Sequence, residues 1–354
     1  MDHMEYTLPK SIYTGKWTGG HIQGIAVDRE RKYLYCSFTT EFVKLDMQGN
    51  VIGSVKGFTG HLGCMAYNAE NGKVYCSLEY KNDAIGRSIL NKLGIETEIQ
   101  NAFYVAIFDV DKIDRVGMDF AENGVMKTVW LREATEDYLA EWEENGKTVS
   151  HRHGASGIDG ITFAPAFHGE GMRLLVAYGI YGDNARTDND YQVILSYRPE
   201  ELEPYEDILS ADHIHTSGPA SAEDKYFVFT GNTNWGVQNM EYDPATGNIF
   251  LAVYPGKKEA YPNYKMFAID GHIAPREEAL CGYSNGEAGK VLTLATFAEN
   301  KGGSYFRYGS TGMIALGEGL FYFSEDHNGE GYWDSMICLY RYTGEGRLFE
   351  KVED

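Results

Sequence analysis

Two histidines open matching stretches of this sequence. His21 begins HIQGIAVDRERKYLYCSF at residues 21–38, and His61 begins HLGCMAYNAENGKVYCSL at 61–78. The match runs without a gap: Ala26 meets Ala66, Asp28 meets Asn68, and Tyr35-Cys36-Ser37 meets Tyr75-Cys76-Ser77. Two imidazoles at the same point of neighbouring repeats, with His153 and the carboxylate of Asp159, have the donor types to hold a divalent ion such as Zn²⁺ or Ca²⁺. Three protein ligands and one open position would turn bound water into a nucleophile. Without a metal, His21, His61 or His153 could serve as a general base tuned by Asp159 or Glu79, as hydrolase or lyase chemistry requires. A repeated histidine can equally be structural, bonded to the backbone of the next repeat.

Such residues must be held by repeating elements, and three further copies follow. GVQNMEYDPATGNIFLAV spans 236–253, a looser copy spans 157–178, and a copy with a shorter turn spans 310–326. Each is two short β-type runs around a turn rich in Asp, Asn, Gly or Glu, the pattern of a tight hairpin. Two more strands follow each copy: EFVKLDM and NVIGSVKGF, FYVAIFDV and GVMKTVWL, YQVILSYR and KYFVFTG with YEDILS as its rival, YKMFAID and KVLTLA, MICLYRYTG and RLFEKV. Four antiparallel strands repeated radially make an all-β fold, one β-propeller of five four-stranded blades across 1–354, the alternative being six with a degenerate blade in 203–230 or 272–309. A column of small residues, Ser37, Ser77, Ala177, Ala252 and Ser324, fits a crowded axis. The segment KSIYTGKW reads as an outer strand able to close the ring against the last blade.

The pattern G-I-x-x-D, a turn, then L-Y-x-x resembles the blade hairpins of NHL, YWTD and SMP-30/gluconolactonase propellers. The resemblance implies the architecture. The E-G-P and N-G-L strings of the gluconolactonase family do not occur here, so its metal ligands are not carried over and activity stays open.

If strands A to D run from axis to rim, the D–A and B–C loops share one face. Most of the inserted length falls there. In 81–101, Ile85, Ile89 and Leu93 make one helical stripe, and ATEDYLAEWEENG in 132–153 reads as a helix stopped by Gly146. Residues 271–290 read as a C–D excursion on the opposite face. At the start of strand A the column is His21, His61, Gly157, Gly236 and Gly309; two residues on it is Gln23, Gly63, Asp159, Gln238 and Thr311. Gln23, Glu79, Trp235, Gln238, Tyr308, Asp326 and His327 are the binding candidates around that mouth. Trp17, Trp333 and the loop tyrosines 178, 181, 254, 261 and 264 offer flat faces suited to sugars. The acidic loop DNARTDND, 183–190, is a weaker Ca²⁺ candidate, without EF-hand spacing. Cys36 and Cys76 are expected to be inert, buried thiols.

The net charge of −21 argues against nucleic acid and anionic membranes as partners. No apolar run reaches the length of a membrane span, and MDHMEYTLPK lacks the apolar run of a signal peptide, so a cytoplasmic protein is expected. The reading is a β-propeller that binds a small polar ligand, such as a carbohydrate, at the channel mouth, with hydrolase or lyase activity open to it. The alternative is a non-catalytic scaffold that binds protein on the same face.

Overall fold

In the computed structural model the described residues are 8–144, 146–210, 214–297, 302–344 and 347–353; the start of MDHMEYTLPK and parts of the candidate sixth-blade segments 203–230 and 272–309 lie outside them. Five sheets stand around one axis as the blades of a propeller. Blade 1 is Ile22–Val27, Tyr33–Phe38, Glu41–Asp46 and Val51–Lys56. Blade 2 is His61–Asn68, Lys73–Tyr80, Ala102–Phe108 and Met126–Trp130. Blade 3 is Ala155–Pro165, Met172–Ile180, Tyr191–Tyr197 and Asp224–Phe229. Blade 4 has Thr233–Asp243, Asn248–Pro255 and Met266–Ile269, and blade 5 has Met313–Gly317, Leu320–Gly329 and Tyr332–Tyr342.

The turn chemistry explains why the repeats fold alike. Asp28 Oδ1 accepts from the backbone of Lys32 and Tyr33, Asn68 Oδ1 from Glu70, and the Asp243 carboxylate from Ala245 and Thr246. One Asx position thus caps the A–B turn in three blades. Apolar side chains collect between sheets: Tyr35, Phe42, Leu62 and Cys76 join blades 1 and 2, while Ile25, Val43, Tyr322 and Ile337 join blades 1 and 5. The small column is fully buried, and two of its hydroxyls stitch the axis. Ser37 Oγ donates to Gly63 O at 2.6 Å and Ser77 Oγ to Asp159 O at 2.8 Å, each reaching the inner strand of the next blade.

The ring closes through both terminal segments. Ser11–Tyr13 pairs with Met336 to Cys338, and Phe349–Lys351 pairs with Tyr340 to Tyr342, so two short strands form one composite outer edge of blade 5. Other edges are covered by the following blade. Met118–Asp119, from the C–D connection of blade 2, pairs in parallel with Val51–Lys56. Asp207, from that of blade 3, bridges Thr128 on the edge of blade 2.

Three sequence expectations need correction. The helix in 132–153 is Arg132–Leu139 only; Glu141–Glu144 then pairs with Lys147–Ser150, and Gly146, at φ +73°, serves that hairpin instead of stopping a helix. KVLTLA is not one outer strand of blade 4. Ala288–Val291 lies parallel to Asp224–Phe229 on blade 3, and only the residues after it bridge Met266–Ile269. The excursion 271–290 is not confined to the far face: Arg276–Ala279 and Ala288–Val291 climb the rim of blade 3, and their connection meets the loop-rich face, where Tyr283 touches His153 and Gly282 O accepts from Thr187 Oγ1.

At the opposite, A–B end of the channel, Glu241 accepts from Ala315 N at 3.1 Å and lies 3.4 Å from Thr162 Oγ1. Burial pushes its carboxyl up to about 8 from 4.5. The folded protein then holds a proton that the unfolded chain loses, so this group's stabilisation is complete below pH 4.5 and fades as pH rises toward 8. Glu241→Gln is therefore expected to gain thermal stability relative to the parent as pH rises across that window. Parallel melting curves for the two proteins would refute the assignment.

Candidate active site at the channel mouth

A cavity of about 560 Å³ opens where the inner strands begin. His21, Gln23, His61, Glu79, Asp159, Trp235 and Gln238 all line it. So do Thr39, Lys81, Ser156, Tyr254 and Trp333, together with Ile85, Ser88, Ile89 and Lys92 of the helix Ala84–Leu93, which covers one side. That helix starts on Asp83, whose side chain caps Gly86 N at 2.9 Å, and stops at Gly94 in the left-handed region. Ile89 is buried, Ile85 half-buried and Leu93 exposed, so the expected stripe faces the cavity over its first two members.

The backbone aims the site residues. Each inner strand from blade 1 to blade 4 breaks register near its start, between Ile22 and Gly24, Leu62 and Met65, Ile158 and Ile161, and Val237 and Asn239. Bulges at these points turn Gln23, Asp159 and Gln238 toward the axis. Gly63 holds the same column in blade 2, and a Cβ there would lie 2.2 Å from Asp159 Oδ1. Trp235 is held at φ +69°, a conformation costly for a bulky residue, with its carbonyl accepting from Gln238 Nε2 at 2.9 Å.

Charge is concentrated on the floor. Lys81 Nζ lies 2.7 Å from Glu79 Oε2 and donates to Ser156 O at 3.0 Å. Glu79 Oε1 accepts from Ile158 N at 2.6 Å, a bond that passes over Gly157, where a Cβ would strike the carboxylate. Burial raises the Glu79 carboxyl, against the pull of Lys81. Burial works against the Lys81 charge, but Glu79, Asp83 and Asp159 outweigh it and hold the ammonium above its usual range. Asp159 is raised well above the carboxylate range by burial and by Glu79. His61 is pushed down to about 3 by burial, with Lys81 and His21 adding to the effect. His61 Nδ1 stands 3.8 Å from Glu79 Oε2. Among the described residues neither His61 Nδ1 nor Asp159 Oδ1 has a hydrogen-bond partner. His21 Nδ1 lies 2.8 Å from Gln23 Nε2, and its ring is 5.4 Å from that of Trp333. Burial lowers His21 as well.

Four candidates stand outside this cavity. His153 is buried against Phe227 and Tyr283, with Nδ1 2.7 Å from the Tyr283 hydroxyl. Tyr308 packs on Phe306 and Tyr340. Asp326 lies 3.4 Å from Thr311 Oγ1, and His327 is exposed, 3.0 Å from Asp334 Oδ1. The acidic loop is neutralised from within the chain: Asp188 pairs with Arg186 and Asp190 with Lys258. Among the described residues no three His, Cys, Asp or Glu side chains are grouped to hold a metal ion, and no helix is long and apolar enough to cross a membrane. Cys36 and Cys76 are buried free thiols, both raised by burial.

Thr39 and Tyr254 were legible in the repeat. They stand two residues after the small column, in register with Glu79 and Asp326. Lys81 and Ser156 carry no such periodic signal.

No family model matches the chain, and no curated protein matches it in sequence. Solved structures do match. The soluble aldose sugar dehydrogenase of Escherichia coli, in its apo-form, is 10% identical with a TM-score of 0.40, over 92% of this chain and 98% of that one. The glutaminyl cyclase of Myxococcus xanthus is 7% identical with a TM-score of 0.37, over 97% of both chains. A Dos1 propeller is 10% identical with a TM-score of 0.35, over 86% of this chain and 52% of its own length. It is the five sheets around one axis, and not these distant likenesses, that make the chain a five-bladed β-propeller.

Proposed function

We propose that the chain binds a small, polar, hydroxylated molecule of carbohydrate type in the channel mouth, with His61 as proton acceptor for a hydrolytic or eliminative step. The observation that carries this reading is one cavity lined by the aromatic rings of Trp235, Trp333 and Tyr254 together with two buried polar atoms, His61 Nδ1 and Asp159 Oδ1, that no described residue satisfies. Aromatic faces suit the apolar face of a sugar ring, and unsatisfied buried acceptors suit its hydroxyls. The imidazole is neutral at ordinary pH, so its lone pair is open to a ligand hydroxyl, and Glu79, 3.8 Å away, is the group that would stabilise the protonated ring during transfer. On the hairpin pattern we place the chain beside the NHL, YWTD and SMP-30-like propellers. A second reading, a protein partner on the same face, draws on Leu93 and Ile95, which stand exposed at the end of the covering helix.

The test is His61→Ala with a panel of mono- and oligosaccharides, read by calorimetry and by melting. Ligand binding or turnover is expected to fall at least about tenfold while melting changes little, because no hydrogen bond to Nδ1 is lost. Since His61 stays neutral down to about pH 3, turnover should show no acid limb near the usual imidazole value of 6.5. A stability loss of about 1–3 kcal/mol with binding intact would make His61 structural and sink the assignment.

A further inference from the structure

We infer that the ligand of the channel mouth carries a protonated amine, seated on Asp159 as the second cation of a floor that holds two carboxylates and one lysine. This rests on the channel mouth being the ligand site. Glu79 and Asp159 are 4% and 9% exposed, and the ammonium drawn in beside them, Lys81, is committed to Glu79 and to Ser156 O. Asp159 Oδ1 is left without a donor. It has room only because blade 2 carries glycine at position 63, where blades 1 and 4 carry Gln23 and Gln238. An ammonium N–H supplies what that oxygen lacks, a hydrogen-bond donor and a positive charge together. The walls agree: Trp235, Trp333 and Tyr254 present π-faces that attract a cation. The chain's charge of −21 raises the local concentration of cations at its surface. Lys92 also lines the mouth, but it is exposed on the helix, where solvent screens it.

Proton balance gives a second signature. The groups acting on Asp159 are Glu79 and Lys81 from the second strand of blade 2, Cys64 from its inner strand, and Gln238 from blade 4. Burial, with Glu79 adding to it, holds the Asp159 carboxyl well above the usual carboxylate range in the free protein. An ammonium beside it favours the charged carboxylate, so binding releases a proton wherever the carboxyl still holds one, and no bond to carbon forms or breaks.

The test is calorimetry on the full chain with matched pairs, glucosamine against glucose and 2-amino-1,3-propanediol against glycerol, in two buffers of different ionisation enthalpy. The amine member is expected to bind at least about tenfold tighter, with net proton release at some point of a scan from about pH 5 to 8. Asp159→Asn should abolish that preference, whatever it does to the affinity for the neutral member. Equal affinities within each pair, no proton release, or a preference that survives Asp159→Asn would overturn the inference. Binding of the neutral members without preference would leave the proposed function standing, whereas binding by none of the four would overturn both. The proton measurement needs only the parent protein, so a variant that failed to fold would not block the decision.

Discussion

Lys81→Met is expected to lower the unfolding free energy by about 3–5 kcal/mol at pH 7.5, the usual cost of removing one partner of a buried ion pair. Its ammonium sits 2.7 Å from a carboxylate that is itself 4% exposed, and no other basic group contacts that carboxylate apart from the imidazole at 3.8 Å. With Lys81 gone, Glu79 must fold in its neutral form. Taking up that proton costs more the further the pH stands above 4.5, the ordinary glutamate value, at about 1.4 kcal/mol per pH unit. At pH 7.5 this alone comes to about 4 kcal/mol, inside that range. The deficit should therefore shrink toward zero as pH falls to about 5. Adding Glu79→Gln to Lys81→Met should restore most of the loss at pH 7.5. Urea melts at the two pH values decide the matter: a deficit that does not change with pH would mean that the orphaned carboxylate is not its source.

The closing strand should be nearly as sensitive. Ile12 is 2% exposed and pairs with Ile337, within the cluster that joins blade 5 to blade 1. Ile12→Ala removes methylene groups from that seam and should cost about 2–5 kcal/mol. It should also speed hydrogen exchange at Leu339 N and Thr14 N, which bond to Lys10 O and Ser335 O across the junction. Ile208→Ala, at a residue 57% exposed, is the control and should change stability by less than about 0.5 kcal/mol. Equal effects at the two positions would show that the strand does not close the ring.

The ring, its blade hairpins and the closing strand were legible because they rest on local periodicity. An Asx turn and alternating apolar residues repeat whether or not the blades ever meet. The first helix was legible for the same reason, through Ile85 and Ile89. The second was misread past Leu139 because Glu, Trp and Ala are acceptable in a helix, and only pairing with Lys147–Ser150 made the segment a hairpin. At the site, column logic placed Gln23, Asp159 and Gln238 correctly around the axis, although it could not show the bulges that aim them. His153 lies outside those columns, a loop candidate with no register to place it. The run SHRHGAS enters blade 3 through two left-handed residues, His151 and His153, and this backbone turns the imidazole back under Tyr283. Lys81 was invisible because its importance is a matter of depth: an exposed lysine four residues beyond Ser77 would look the same in sequence.

The borrowed rim strands set an order of events during synthesis. Blade 1 is edged by Met118–Asp119, blade 2 by Asp207, and blade 3 by Arg276–Ala279 with Ala288–Val291, each supplied by the blade that follows. As the chain leaves the ribosome from its N-terminus, a finished blade therefore keeps an open edge until the next one has emerged. The vulnerable species is a partial ring whose last complete sheet can still pair with a stranger. Each added blade moves that exposed edge forward by one, and blade 5 removes it by taking back Ser11–Tyr13, a segment made before blade 1.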